Sequence, residues 1–395
     1  MVNSPFNFSA MHLAMQDFVD RELLAGAISV VLKDNRIVDK KTWGYADTES
    51  RTEIHDNTIF RIFSNTKIIT SVAAMILYEE GHFSLDDPLE KYLPQFQNMR
   101  VLKKGADDPS ETEDLQVQPT IRQLMSHQAG ISYGIFSESP VDALYNEWDI
   151  LAPHSTLADM ADKLARIPLA SQPGTRFQYS ISTDVLARLV EIWSGEPLDK
   201  FLIGKIFSPL AMTDTGFHVP EPKRARLATN YLPTNPLEPM KPGLGTAPDD
   251  ILGGFLEPKA LCSGGAGLVS TIADYTRFIQ MLVGEGSLGD VQILKPETVA
   301  LMHTNQLPEG VKVQCPADWF MPDTVFGLGL AIKRAPLEGE PAEAIDEFHW
   351  GGLAGTHTWI SPRAGIAALI FTQRFPSFHH EFSHEFKRQV YKAVC

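Results

Sequence analysis

Residues 61–81 constrain the fold more than any other part of the chain. They begin with the pattern Ser64-x-x-Lys67 and continue as a strongly apolar run that ends at Gly81. A run of this composition is typical of a buried helix, and glycine is a common C-terminal stop. If Ser64 opens this helix, Lys67 lies about one turn later on the same face, close to the serine hydroxyl.

This pairing indicates a specific chemistry. A serine hydroxyl becomes a good nucleophile only when a neighbouring base takes its proton. A lysine amine can be that base when burial and a helix N-terminus lower its pKa. The free N–H groups of the first helical turn can also stabilise an oxyanion. A pattern this short also occurs by chance, with Ser64 as a helix cap and Lys67 as a solvated side chain.

Composition excludes several function classes. The chain has 395 residues and a formal net charge of −15, which argues against a surface for nucleic acid or an anionic membrane. Cys262, Cys315 and Cys395 are too few for a disulfide framework, so we expect buried or inert thiols. The N-terminus lacks a basic region followed by an apolar core, and no apolar stretch is long enough to span a membrane. We therefore expect a cytoplasmic protein.

Apolar periodicity predicts elements at both ends of the sequence. The predicted strands cover residues 27–32, 37–43, 356–360 and 366–372. The predicted helices cover residues 9–25, 183–193, 271–283, 296–303 and 380–394. Because strands occur near both termini with helices between them, the pattern indicates one antiparallel sheet built from both ends. Residues 101–119 are expected to be a surface excursion, and residues 208–260 have no assignable pattern.

Three motifs occur in order along the chain: Ser64-x-x-Lys67, Tyr179-Ser180 after Pro173-Gly174, and His349-Trp350-Gly351-Gly352. Together they resemble the signatures of the serine β-lactamase and penicillin-binding-protein superfamily. The resemblance is closest to the class C-like branch and to family VIII carboxylesterases. It covers most of the chain, apart from the loops near 101–118 and 220–260.

The resemblance implies an α/β (α+β) architecture of the β-lactamase/transpeptidase type, with an antiparallel sheet flanked by helices. Residues 1–95 and 225–395 would form the α/β domain, and residues 96–224 a mostly helical inserted domain, with the site in the cleft between them.

The resemblance also implies roles for individual residues. Ser64 would be the nucleophile, Lys67 a base or proton relay, and Tyr179 the phenol that activates the serine and later a water. The backbone N–H groups of Ser64 and Leu353 would form the oxyanion hole. Taken alone, Tyr179 would be read as a core tyrosine.

Two departures from the class C pattern bear on the substrate. Trp350-Gly351-Gly352 stands where those enzymes have Lys-Thr-Gly, and Ile181 stands where an asparagine is usual. We expect these four residues to contact the substrate and to favour neutral esters over anionic amides. Loss of a charge-assisted contact costs about 1.5–3 kcal/mol, which leaves room for weak β-lactam hydrolysis. His349 is interpreted as structural.

The sequence therefore predicts a serine carboxylesterase that hydrolyses short- to medium-chain esters through a Ser64 acyl-enzyme. Its partner would be a small-molecule ester, without nucleic acid, membrane, metal or cofactor. Two alternatives use the same site, namely an acyltransferase and a class C-like β-lactamase. A third is zinc chemistry, because His380-Glu381-x-x-His384 matches a zinc-binding pattern, although no third ligand motif follows it.

Overall fold

A computed structural model describes residues 5–137, 139–248, 254–314, 321–377 and 381–395. Its strands are β1 Gly26–Lys33, β2 Arg36–Asp47, β3 Thr52–Glu53, β4 Ile59–Arg61, β5 Arg100–Leu102, β6 Thr112–Asp114, β7 Tyr231–Pro233, β8 Leu244–Thr246, β9 Val269–Thr271, β10 Ser287–Leu288, β11 Val291–Gln292, β12 Thr324–Phe326, β13 Ala331–Lys333, β14 Phe348–Gly352, β15 Thr356–Ser361 and β16 Ile366–Phe371. Its α-helices are α1 Ser9–Asp20, α2 Thr66–Glu79, α3 Ile121–Met125, α4 Asp142–Glu147, α5 Leu157–Leu164, α6 Ser182–Ser194, α7 Leu198–Leu202, α8 Ile272–Val283, α9 Pro296–Met302 and α10 Phe382–Val394.

The main sheet joins the two ends of the chain, as the sequence predicted. Its strand order is β12-β13-β14-β15-β16-β1-β2-β3, and its neighbouring strands pair antiparallel. Strand β16 lies beside β1, with Ile28 opposite Phe371. The β1–β2 hairpin turns through Asp34 and Asn35, whose φ angles of 48° and 60° suit a tight two-residue turn. The predicted antiparallel sheet is confirmed.

Both faces of the central strands are covered. The successive β1 residues Val30 and Val31 belong to different hydrophobic clusters. Val31 packs on the side of α1 and α10, whereas Val30 packs in the larger core that contains α2 and α8. Because a strand presents successive side chains to opposite faces, a strand covered on both sides must be apolar throughout. This explains why β1 and β16 have no polar face.

Residues 96–224 contribute α3 to α7 and the β5–β6 hairpin. Helix α6 packs against α2, and the hydrophobic core runs without a break from the sheet into this region. The predicted domain boundaries therefore stay a prediction. Residues 103–118 are exposed or half-buried, as expected of a surface excursion. The excursion is a hairpin, because β5 pairs with β6, and Val101 anchors its start in the core.

Some other expectations also change. Helix α1 ends at Asp20 and not at residue 25, because Glu22 adopts a φ of 54° and turns the chain. Of the thiols expected to be buried or inert, Cys395 is exposed, while Cys262 is half-buried with its pKa raised to about 12 by burial. Cys315 lies outside the described residues. No helix in the described ranges is long and apolar enough to cross a membrane.

Candidate active site

Ser64 lies in a short 3₁₀ turn, Phe63–Asn65, that leads directly into α2. The preceding residue, Phe63, has a φ of 40°, which is unusual for a bulky side chain. The ring of Phe63 packs 5.5 Å from the ring of Phe255 and 6.0 Å from that of Phe375, and these contacts hold the turn in place. Ser64 keeps 8% exposure, so its side chain is reachable from one side only.

Lys67 is completely enclosed in the first turn of α2. Its Nζ donates to the carbonyl oxygen of Gly265 at 2.8 Å and lies 3.2 Å from Ser64 Oγ. Burial lowers the pKa of Lys67 to about 7, while the negative charge of Asp184 acts in the opposite direction. A lysine in this state exchanges a proton near neutral pH, which an exposed lysine does not do.

Tyr179 approaches the same hydroxyl from the segment before α6. Its phenolic oxygen lies 2.9 Å from Ser64 Oγ, and Lys67 Nζ lies 4.8 Å from the centre of its ring. Ser64 Oγ is therefore within hydrogen-bond reach of both a phenol and an amine. The structure brings together the three residues that the sequence motifs singled out.

A carboxylate that sequence reasoning missed fixes the loop around Lys67. Asp184, in the first turn of α6, accepts hydrogen bonds from Ser263 Oγ at 2.5 Å and from the N–H of Gly265 at 3.1 Å. A β-carbon at Gly265 would lie 2.4 Å from Asp184 Oδ2, so any larger residue would push the carboxylate out of place. Burial raises the pKa of Asp184, although Lys67 opposes this. The Gly265 carbonyl is thereby aimed at Lys67.

Tyr133 is a second residue whose role the sequence did not assign. Its hydroxyl lies 3.4 Å from Lys67 Nζ, and burial raises the pKa of the Tyr133 phenol well above its usual value. The phenol stays protonated and can act only as a hydrogen-bond donor or acceptor, not as a base.

The strand end that carries Leu353 is pressed against the Ser64 turn. A β-carbon at Gly352 would lie 2.2 Å from the carbonyl oxygen of Ile62, so only glycine allows this approach. Asn65 Nδ2 donates to the carbonyl of Thr356 at 2.8 Å, which ties the turn to β15. Leu353 packs in the same small cluster as Phe63.

Ser64 opens into a cavity of about 320 Å³ that Leu353 also lines. Aromatic and aliphatic side chains form most of its wall, including Tyr133, Tyr145 and Phe217. An apolar, concave pocket of this size is typical of small-molecule sites.

Ser64 and Leu353 line the cavity, but the four residues predicted to contact the substrate are buried away from it. Ile181 is 0% exposed, and Trp350, Gly351 and Gly352 are buried in β14. The Trp350 ring lies 5.2 Å from the ring of Tyr179. None of these four belongs to the described lining of the cavity. Trp350 therefore packs behind Tyr179.

His349 lies next to Trp350 but lines a different, smaller cavity with His357 and His384. Burial lowers the pKa of all three imidazoles, to about 3 for His357 and about 4 for His384. Of the zinc pattern, His380 lies outside the described residues. Among the residues that the structure does describe, no group of three or more His, Cys, Asp and Glu side chains could hold a metal ion.

A family model for beta-lactamase matches residues 13–392, almost the whole chain. The chain belongs to the β-lactamase family. The fold is the β-lactamase/transpeptidase-like fold that the sequence predicted, and the chain is a serine hydrolase of this family.

Other proteins of the family cover most of the chain. Protein Rv1367c of Mycobacterium tuberculosis is 31% identical over 379 residues, which are 94% of this chain and 91% of that protein. Esterase EstB of Burkholderia gladioli is 28% identical over 361 residues, covering 88% and 86%. The solved structure of EstCE1, a hydrolase with promiscuous acyltransferase activity, matches with a TM-score of 0.78 and 27% identity, covering 97% of both chains.

Proposed function

We propose that this protein hydrolyses short- to medium-chain carboxylic esters through an acyl-enzyme on Ser64. One observation carries the proposal: Ser64 Oγ lies 2.9 Å from the phenol of Tyr179 and 3.2 Å from the amine of Lys67, beside an apolar cavity. The esterase EstB among its relatives agrees with this reaction type.

In the first step, Ser64 Oγ attacks the ester carbonyl as its proton moves to the Lys67–Tyr179 pair. The new C–O bond turns the carbonyl oxygen into an oxyanion, which we assign to the N–H groups of Ser64 and Leu353. With a pKa near 7, Lys67 is about half unprotonated at neutral pH and can accept the proton. Tyr133 stays a neutral phenol and can hydrogen-bond the amine.

In the second step, the tetrahedral intermediate collapses and the ester's C–O bond breaks. The alcohol leaves with the proton returned through Tyr179. A water then attacks the acyl-enzyme, gives its proton to the same pair, and releases the carboxylic acid and free Ser64. The Lys67–Tyr179 pair thus accepts a proton from each attacking hydroxyl, of Ser64 and then of water, and returns it to each leaving oxygen.

The lining of the cavity comes from both of the predicted domains. Ser64 and Leu353 belong to residues 1–95 and 225–395, whereas Tyr133 and Tyr145 belong to residues 96–224, and all four line the cavity. We propose that the cavity is the cleft between the two parts.

Acyl transfer to an alcohol is the second candidate, because EstCE1 is described as a hydrolase with promiscuous acyltransferase activity. The same acyl-enzyme serves both reactions, and only the acceptor differs. Product analysis with an added alcohol separates them, since transfer yields a new ester and hydrolysis yields the acid. Weak β-lactam hydrolysis is also part of the proposal, with Trp350 in place of the cationic lysine of class C enzymes.

The test compares initial rates on p-nitrophenyl butyrate and on a chromogenic cephalosporin. Ser64→Ala should lower ester turnover by at least about a thousandfold, leaving the contribution of binding and oxyanion donors. Ser71→Ala, also buried in α2, is the control for damage to the helix. Ester turnover that survives in Ser64→Ala refutes the nucleophile, and near-normal turnover in Tyr179→Phe or Lys67→Ala refutes the relay. If the cephalosporin is turned over faster than the ester, the protein is a β-lactamase and the proposed esterase function is wrong.

A further inference from the structure

Among the described residues that line the cavity above Ser64, one is a lysine. Lys259 lines it from a loop that had no assignable sequence pattern. Its Nζ lies 4.6 Å from the centre of the Phe255 ring, so one side of the ammonium rests on an aromatic face. Phe255 also packs against Phe63, the neighbour of Ser64. Lys259 therefore belongs to the wall that supports the nucleophile's turn.

The loop that carries Lys259 is held in place by the opposite wall of the cavity. The N–H groups of Ala260 and Leu261 both donate to the carbonyl oxygen of Pro153, at 3.1 and 3.2 Å. Pro153 and Leu261 are themselves lining residues. The backbone on the C-terminal side of Lys259 is thus fixed beside the cavity, and Lys259 lies on the wall that this cavity shares with a second one of about 270 Å³.

Lys259 has no counter-ion in the described structure. It is half-buried, yet none of the described carboxylates lies within ion-pair distance of its Nζ. The other charged lining residue, Asp149, is exposed and forms no ion pair with it. Burial lowers the pKa of Lys259, and only the nearby Cys262 thiol acts in the opposite direction, with no carboxylate contributing. An anionic ligand would supply the missing negative charge.

We propose that Lys259 binds a carboxylate of the substrate, so that the preferred esters carry a free carboxylate as well as the ester bond. This inference rests on the proposed esterase function and narrows its substrate class. The sequence favoured neutral esters because Trp350 replaces the class C lysine. The structure instead places a cation, Lys259, in the wall of the cavity that Ser64 lines, although Trp350 itself is not part of that wall.

The test uses two matched substrate pairs, because the carboxylate can belong to the acyl or to the alcohol part. The acyl pair is mono-p-nitrophenyl adipate, which has a free carboxylate, and methyl p-nitrophenyl adipate, in which that carboxylate is methylated. The alcohol pair is 4-butanoyloxybenzoate and its methyl ester. For each pair we define the carboxylate preference as kcat/KM of the acid divided by kcat/KM of the neutral ester. This ratio cancels general damage to the site.

The variants are Lys259→Met, which keeps the length and removes the charge, and Lys259→Arg, which keeps the charge. Lys241→Met is the control for net charge, since Lys241 is exposed and pairs with Glu238. In Lys259→Met, the carboxylate preference should fall about 10- to 100-fold for at least one pair, mainly through KM. Lys259→Arg should restore most of it, and Lys241→Met should leave it unchanged.

A second measurement covers the case in which Lys259→Met fails to fold. Free adipate should inhibit hydrolysis of p-nitrophenyl butyrate by the unmodified protein competitively, and dimethyl adipate should inhibit at least about tenfold more weakly. If the carboxylate preference falls for only one of the two pairs, the proposal is supported and the result shows whether the carboxylate belongs to the acyl or to the alcohol part of the ester. An unchanged preference in Lys259→Met, or equal inhibition by the two adipates, overturns it and leaves the esterase standing. If the unmodified protein shows no Ser64-dependent ester hydrolysis, both proposals fall.

Discussion

The lowered pKa of Lys67 makes the pH dependence of catalysis a direct test of the proposed base. Burial brings that pKa to about 7, and only the neutral amine can accept the proton of Ser64. Below the pKa the amine is protonated, so kcat/KM should fall as pH falls through about 7. A single ionisation gives a neutral fraction of about one tenth at pH 6 and nine tenths at pH 8, hence a roughly tenfold rise in rate.

Removing the charge of Asp184 should move this profile in a known direction. The carboxylate of Asp184 raises the pKa of Lys67, opposing the effect of burial. In Asp184→Asn the amide Oδ1 can still accept from Ser263 Oγ and from the N–H of Gly265, which in Asp184 share one oxygen. The loop should therefore stay in place while the charge is lost. The pKa of Lys67 should then fall further, and the midpoint of the profile should shift to lower pH.

The assay measures kcat/KM for p-nitrophenyl butyrate between about pH 5.5 and 9, because this parameter reports ionisations of the free enzyme. Product is followed at the isosbestic wavelength of p-nitrophenol, so that its own ionisation does not distort the rates. Asp108→Asn, on an exposed loop, controls for the change in net charge. A profile that is flat or falls from pH 6 to 8 contradicts a neutral Lys67 base. A midpoint that does not move in Asp184→Asn contradicts the electrostatic role of that carboxylate.

Two further predictions concern the cavity wall and the core. Phe217 lines both the Ser64 cavity of about 320 Å³ and a second cavity of about 270 Å³, so Phe217→Ala should join them. The ratio of kcat/KM for p-nitrophenyl decanoate to that for the butyrate should then rise at least about tenfold; an unchanged ratio would mean that the cavities stay separate. Glu347 is completely buried and accepts from Lys387 and from Tyr391 Oη. Glu347→Ala leaves Lys387 buried without its partner and should lower the free energy of unfolding by about 3–5 kcal/mol in urea titrations; a loss below about 1 kcal/mol would show that the cluster relaxes or takes up water.

Local geometry explains which part of the site could be predicted from the sequence. Ser64 and Lys67 are three residues apart, so their proximity follows from the helical repeat alone. Tyr179 was identified through the resemblance of its motif to a known family. The structure places its hydroxyl 2.9 Å from Ser64 Oγ. In each case the information was carried by a short pattern of neighbouring residues.

The remaining contacts depend on tertiary structure, which such patterns do not encode. Gly265 meets Lys67 across 198 residues of chain, and Tyr133 meets it across 66. Asp184 left no distinctive signal, because an acid in the first turn of a helix is common and its burial follows from tertiary packing. Lys259 left none, because its position comes from long-range contacts of its loop with Pro153.

The cost of burying a charge explains why a cation is easier to accommodate at Lys259, in a loop, than at position 350, in β14. Position 350 is buried beside Tyr179, whose ring also lies 4.8 Å from Lys67 Nζ. A lysine there would put a second ammonium near Lys67 and lower the pKa of both amines, since like charges disfavour each other in a dry interior. An indole avoids this conflict. Lys259 is half-exposed in its loop, so a charge costs less there than in β14, and it can still reach the cavity that Ser64 shares.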